Sequence, residues 1–162
     1  IEEIHEEFRE TFGRGTPSPW YEEYMTEDAD IVIVGMGTLA MPARVTVRRL
    51  REQGRKVGFV RIRWFRPFAT EEIRELLSRF KALVVIDRDY SFGSPSNGGV
   101  LFNEIRSTLY PLKDRPLVGS FICGLGGREV HVRDVTEMIN IMEAGLEKGY
   151  LEQENHWIGV RR

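Results

Sequence analysis

A chain of 162 residues, 41% of them drawn from Ala, Val, Ile, Leu, Met, Phe, Trp, Tyr and Cys, suits one compact domain. Its 23 basic and 25 acidic residues leave a formal charge of −2, which excludes the basic footprint of a nucleic-acid-binding domain and the composition of a disordered chain. The single cysteine, Cys123, excludes an internal disulfide, a CxxC redox pair, a Cys-based zinc site and a self-contained iron–sulfur cluster.

No apolar run approaches the ~18 residues of a membrane span, and Ile1-Glu2-Glu3-Ile4 lacks a signal-peptide core. A first residue other than Met is expected of a processed chain or a fragment of a longer one. Ile1, Ile4, Phe8 and Phe12 recur at helical spacing with acids between them, so residues 1–12 read as an amphipathic helix. Gly13-Arg14-Gly15-Thr16-Pro17-Ser18-Pro19 breaks it and reads as a linker, which divides the chain into residues 1–19 and a domain over 20–162. The aromatic stretch Trp20 to Tyr24 is expected to pack on the domain or on a neighbour.

Ile31-Val32-Ile33-Val34 has the continuous β-branched character of a strand buried on both faces. Gly35-Met36-Gly37-Thr38 turns the chain, and a helix follows over 39–53 with Thr38 as its N-cap and Gly54 as its C-terminal stop. A second strand is expected over 57–64, a helix over 68–80 capped by Thr70, a third strand over 82–86 and a polar, glycine-rich loop over 87–99. A helix over 100–110, a strand over 117–122, a glycine turn at 123–127 and a helix over 132–145 complete the series, with a last strand or anchoring segment at Trp157-Ile158-Gly159-Val160. Four strand–helix alternations at βαβ spacing predict a three-layer α/β/α fold with a mostly parallel sheet of about five strands.

Ligands of such sheets bind at the carboxyl ends of the strands, and three ends stand out. Gly35-Met36-Gly37-Thr38-Leu39-Ala40 fits G-x-G-x-x-A after a strand and before a helix. With Arg61 in place of the usual acid on the second strand, Gly35, Gly37, Ala40 and Arg61 describe an NADP-binding module, although a tight turn needs the glycines anyway. Arg63-Trp64-Phe65-Arg66-Pro67-Phe68 ends the second strand, and its arginines suit an anion or an ion pair across an interface. Asp87-Arg88-Asp89 and Gly124-Leu125-Gly126-Gly127-Arg128 supply carboxylates for acid–base work and an anion nest, or simply ordered turns. Nineteen arginines against four lysines suit interface ion pairs, and equally a surface ion-pair network. His5, His131 and His156 lack metal-ligand spacing, no nucleophile elbow surrounds Ser91, Ser94 or Ser96, and Cys123 reads as a core hydrophobe. No complete catalytic set emerges from these residues.

The ordered blocks Tyr24-Met25-Thr26-Glu27-Asp28-Ala29-Asp30, Gly35-Met36-Gly37-Thr38, Gly54-Arg55-Lys56-Val57-Gly58, Arg66-Pro67-Phe68, Asp87-Arg88-Asp89-Tyr90-Ser91-Phe92-Gly93 and Gly124-Leu125-Gly126-Gly127-Arg128 resemble the C-terminal part of the alpha subunit of pyruvate:ferredoxin oxidoreductase. The resemblance runs from about Tyr24 to Trp157-Ile158-Gly159-Val160-Arg161. It implies a transketolase C-terminal-type domain within an enzyme that decarboxylates a 2-oxoacid on thiamine diphosphate and Mg2+. Electrons then pass through iron–sulfur clusters to ferredoxin, and the acyl group passes to coenzyme A. Pyruvate is the expected substrate, with oxalate and branched-chain 2-oxoacid relatives as alternatives. The resemblance further implies that no catalytic residue, cofactor or metal belongs to this domain, that its partners are the beta-, gamma- and delta-type subunits and ferredoxin, and that it is cytoplasmic. Arg61, Arg63, Arg66, Asp87, Arg88 and Arg128 are the expected contacts to neighbouring domains or subunits. Met41-Pro42 and Glu129 depart from the family pattern in the turns they occupy.

Overall fold

Alternate residues of the central strands feed two separate apolar layers, one on each face of a sheet. The computed structural model describes residues 1–160; Arg161, which closes the segment of resemblance, and Arg162 lie outside the described residues. The sheet is built from β1 (Tyr21–Tyr24), β2 (Ile31–Met36), β3 (Val57–Ile62), β4 (Ala82–Asp87), β5 (Leu117–Ile122) and β6 (Asn155–Trp157), in the order β1-β3-β2-β4-β5-β6. Helices α2 (Ala40–Glu52) and α5 (Val132–Lys148) cover one face, where Ile31, Ile33, Phe59, Val84 and Ile86 meet Ala43, Val47, Val135 and Ile139. Helices α3 (Thr70–Leu77) and α4 (Val100–Leu109) cover the other, where Val32, Val34, Leu83 and Val85 meet Ile73, Leu77, Phe102 and Ile105. This is the expected three-layer α/β/α fold, and the unbroken apolar strands are what burial on both faces demands.

The sheet has six strands rather than about five. The added one is β1, which pairs antiparallel with β3, Tyr21 opposite Ile62 and Tyr24 opposite Phe59. The sequence reads there as an aromatic packing segment because Tyr21-Glu22-Glu23-Tyr24 is too short and too acidic to announce a strand. Its two acids sit on an exposed edge, where charge discourages further strand pairing. The remaining five strands run parallel.

Three local expectations are corrected. Thr38 lies inside a 3-10 turn (Gly37–Leu39) ahead of α2 and makes no cap hydrogen bond. Ala69, not Thr70, is the N-cap of α3. Strand β3 ends at Ile62, two residues before Trp64, as the chain turns toward the cis Arg66–Pro67 bond. Gly54 does close α2: at φ +79° its N–H reaches Arg51 O at 2.9 Å, and the Arg55 N–H reaches Leu50 O at 3.0 Å. Helix α1 (Glu2–Phe12) stands apart from both apolar layers and contributes no buried residue.

Candidate functional site

From β2 the chain crosses to β3 on one side and later returns to β4 on the other, so the winding direction reverses between β2 and β4. The two strands pair only from Ile31–Ala82 to Val34–Val85, whereas β2 stays paired with β3 as far as Met36–Ile62. The carboxyl ends of β2 and β4 therefore splay, and the crevice they leave is where an open α/β sheet offers a ligand site. Gly35 to Gly37 lie at the end of β2 and Asp87 to Asp89 at the end of β4.

Among the described residues Asp87 is the one acid buried in the sheet, at 4% exposure. Strand alternation sends Ile86 toward α2 and α5 and Asp87 toward α4. Its Oδ1 accepts the Leu101 N–H at 2.9 Å and its Oδ2 the Phe102 N–H at 3.1 Å. Asp89 Oδ1 accepts the Val100 N–H at 2.7 Å. Two carboxylates from the end of one strand thus satisfy the first three orphan amides of a helix ten or more residues further on. Gly99 makes this possible: a Cβ there would stand 2.1 Å from Asp87 Cγ. Burial pushes the Asp87 carboxyl up from 3.8 to about 6; the Leu101 and Phe102 amides oppose the rise, and the charge of Asp89 adds to it. The sequence marks Asp87 and Asp89 as acid–base candidates or turn formers, and Asp87 as a contact residue. The structure places the Asp87 carboxylate inside the chain as a helix cap, away from the surface a neighbour would touch.

The glycine pair at the end of β2 is less demanding than its pattern suggests. Gly37 needs its left-handed backbone, φ +59°, but a Cβ on Gly35 would find its nearest neighbours at 3.8 and 3.9 Å, ordinary contact. Ala40 is buried in the α2–α5 layer. Arg61, beside Gly35 in the parallel pairing, has Glu22 Oε2 at 3.8 Å, and Glu22 also accepts from Arg44. A carboxylate next to Arg61 opposes a 2′-phosphate, so Gly35, Gly37, Ala40 and Arg61 do not assemble the NADP site that their spacing suggested.

The remaining cations hold loops or stand free at this end of the sheet. Arg63 donates to Thr16 Oγ1, and the Arg63 N–H reaches Trp20 O at 2.8 Å, tying the linker to the sheet. Arg66 pairs with Glu104 at 2.5 Å and lies 4.1 Å over the Phe65 ring. Arg128 donates to Gly159 O and fastens the glycine turn to the chain after β6. Arg88 forms no ion pair among the described residues; its guanidinium runs beside Gly124, where a Cβ would stand 3.0 Å from Nε. Burial pushes the Cys123 thiol up to about 12, against the pull of Arg88, which makes it a core group and not a nucleophile.

Sequence reasoning missed an aromatic cluster on the same rim. The Tyr90 ring lies 5.8 Å from Phe92 and 5.0 Å from Trp157, joining the β4–α4 loop to β6. Phe92 is 93% exposed and Trp157 45%. Two aromatics inside an otherwise polar loop were the available signal. Met41, Trp64, Leu125 and Val160 are exposed apolar side chains that follow β2, β3, β5 and β6 on the same edge of the sheet. The three histidines are dispersed: His5 contacts Thr16 O, the His131 N–H caps onto Asp134, and His156 stacks on Phe121.

A family model described as pyruvate:ferredoxin oxidoreductase core domain II matches residues 29–135, from just before β2 into the first turn of α5. Over 162 residues the chain is 40% identical to ketoisovalerate oxidoreductase subunit VorA of Pyrococcus abyssi and 41% identical to pyruvate synthase subunit PorA of the same organism, covering 100% of this chain and 40% of each relative. It is 38% identical to pyruvate synthase subunit PorA of Thermotoga maritima over 98% of this chain and 38% of that one. The chain thus spans about two fifths of the length of these curated relatives. Among solved structures, 2-oxoglutarate:ferredoxin oxidoreductase from Magnetococcus marinus, with 2-oxoglutarate, coenzyme A and succinyl-CoA bound, matches with a TM-score of 0.54 at 22% identity, covering 82% of this chain and 21% of that one. That likeness is one of fold.

Proposed function

The chain belongs to the pyruvate:ferredoxin oxidoreductase core domain II family, and from that membership we propose that it is the assembly domain of the alpha subunit of a thiamine diphosphate-dependent 2-oxoacid:ferredoxin oxidoreductase. Pyruvate is the proposed substrate, oxidised with coenzyme A and ferredoxin to acetyl-CoA and CO2. The observation that carries the reading is the family match over the α/β core together with alignment to alpha-type subunits along the whole chain. Beta-, gamma- and delta-type subunits are the proposed neighbours, ferredoxin the electron acceptor and the cytoplasm the location. Residues 20–162 form the proposed domain and residues 1–19 its appendage.

The residues of this chain do not fit the family's redox and thiamine groups. A four-thiolate cluster site cannot be built on one buried cysteine. The acid nearest the crevice, Asp87, already accepts two amides. No group of three His, Cys, Asp or Glu side chains able to hold a metal occurs among the described residues. We therefore propose that thiamine diphosphate, Mg2+ and the clusters are held by other modules, and derive no chemical step here. What the rim offers instead is a contact surface of exposed apolar groups interspersed with Arg61, Arg63, Arg66, Arg88 and Arg128. Arginine and aromatics are the residue types that anchor protein interfaces. Asp87 acts on that surface indirectly, by fixing the loop that presents Arg88 and Phe92.

The purified assembly containing this chain should reduce ferredoxin when supplied with pyruvate and coenzyme A, and do so faster than with ketoisovalerate. Replacing Phe92 by Ala and Arg88 by Glu together should release the chain from the assembly while the chain itself stays folded. Absence of any 2-oxoacid-dependent reduction refutes the function. Normal assembly with selectively lost turnover refutes the structural role.

A further inference from the structure

Of the four asparagines in the sequence, Asn97, Asn103, Asn140 and Asn155, only Asn97 is followed by glycine. Asn97 is exposed on the β4–α4 loop and holds a left-handed backbone, φ +51°, a conformation that costs any residue with a side chain. Two neighbours bracket its step to Gly98. The Tyr90 hydroxyl donates to Asn97 Oδ1 at 3.1 Å, and the Gly98 N–H donates to Ser96 Oγ at 3.2 Å. The Ser96 hydroxyl gives its own proton to Asn103 Oδ1, and Asn155 Nδ2 donates to Ser96 O at 2.6 Å, so a Ser96 lone pair is held toward Gly98 N. The side-chain amide thus has a donor on its oxygen, and the main-chain nitrogen beside it has an acceptor on its hydrogen. Attack by a nitrogen on an acyl carbon needs those two aids: an acceptor for the departing proton and a donor where negative charge gathers. Glycine adds an approach that no Cβ obstructs.

We propose that Asn97 is a site of intramolecular deamidation promoted by Tyr90 and Ser96. Gly98 N bonds to Asn97 Cγ, the Cγ–Nδ2 bond breaks, and the proton shed by Gly98 leaves with that nitrogen as ammonia. A cyclic imide remains, and water, the one co-reactant, opens it. Opening at Cγ gives an aspartate at position 97. Opening at the main-chain carbonyl gives isoaspartate, whose main chain runs through the side chain and is one methylene longer. The segment that receives the methylene has no slack. A Cβ on Gly98 would stand 2.4 Å from Phe102 Cδ1 and one on Gly99 2.1 Å from Asp87 Cγ, while Gly98 O accepts the Ser91 N–H at 2.9 Å. Deamidation therefore puts a new carboxylate, and in the isoaspartate form a longer chain, into the loop that presents Arg88 and Phe92. The site stands on this loop alone and does not depend on which reaction the assembly performs.

The test incubates the native assembly in heavy-oxygen water at mildly alkaline pH, with the denatured chain in parallel, and maps the asparagine peptides by mass spectrometry. Expected is heavy oxygen in the peptide holding position 97, as aspartate and isoaspartate together, with the peptides holding Asn103, Asn140 and Asn155 unlabelled. Tyr90→Phe and Ser96→Ala each remove one hydrogen bond, worth about 1 kcal/mol, and should slow labelling of the native chain about five-fold while the denatured rate stays in place. That contrast separates assistance by the fold from the bare Asn-Gly sequence. Absence of label at position 97 in the native assembly overturns the proposal, whether or not the denatured chain takes it up. Equal labelling at the other three asparagines overturns it, as does native labelling that either variant leaves unchanged or accelerates. Ferredoxin reduction by the parent assembly is measured separately, so failure of the deamidation and failure of the proposed function read out differently.

Discussion

Replacing Asp87 by Asn removes the charge of the strand-end carboxyl and keeps its size. In the native chain that carboxyl is raised from 3.8 to about 6, chiefly by burial. A raised acid means that the folded state holds a proton the unfolded state has already released. Its contribution to stability is therefore full below about pH 4 and fades as pH rises through about 6. With those two values, the native chain loses about 2 kcal/mol from this group between pH 4.5 and 7.5. A side-chain amide does not titrate, so the Asp87→Asn variant escapes that loss. The variant also turns an amide N–H toward Leu101 or Phe102, which costs about 1–3 kcal/mol at every pH. The difference in unfolding free energy, variant minus native, should thus become more favourable to the variant by about 2 kcal/mol from pH 4.5 to 7.5.

Urea unfolding of both proteins at matched pH, followed by far-UV circular dichroism, measures this directly. The subtraction cancels every other titrating group. A difference that stays flat with pH shows a carboxyl ionised throughout, with the Leu101 and Phe102 amides outweighing burial. A carboxyl pulled below its ordinary value by those amides and the α4 dipole would also read as flat, because the change over this range is then within about 0.1 kcal/mol. A flat result therefore ends the account of Asp87 as a cap held against desolvation.

Two further outcomes follow from the same rim. Gly99→Ala forces a Cβ to 2.1 Å from Asp87 Cγ and should lower stability by at least about 2 kcal/mol, whereas Gly35→Ala, with nothing nearer than 3.8 Å, should stay within about 1 kcal/mol in the same thermal melts. Cys123, raised from 9.0 to about 12, should react with a thiol reagent at pH 8 about a thousand-fold more slowly in the native chain than after denaturation; equal rates would show an accessible thiolate.

The parallel core was readable from the sequence because its signals are redundant. Ile31 to Val34 and Ala82 to Ile86 are too apolar to lie anywhere but between two helix layers, and each is followed by a turn and a 3.6-periodic helix. Strand β1 was not readable, because its pairing with β3 depends on a partner more than thirty residues away and its own residues alternate no apolar face. The caps Thr38 and Thr70 were misplaced for a related reason: a hydroxyl near a helix start is common, and which residue becomes the cap is decided by how the preceding turn enters.

The rim separates two meanings that one local pattern carries. A glycine-rich strand end followed by a helix serves phosphate binding when the first amides of that helix stay free to meet the ligand. In the β4–α4 unit those amides are already met by Asp87 and Asp89, delivered from the strand itself and seated against Gly99. In the β2–α2 unit Arg61 faces Glu22, and Ala40 is packed into the core. Spacing cannot distinguish these cases, because the residue that closes the site lies ten or more positions away and arrives only through the fold. Once the amides are capped from within, the side chains left outward at the strand ends are arginines and aromatics such as Arg88, Phe92 and Trp157. Their chemistry suits a protein surface, and that exchange of partners supports the assembly role proposed for this domain.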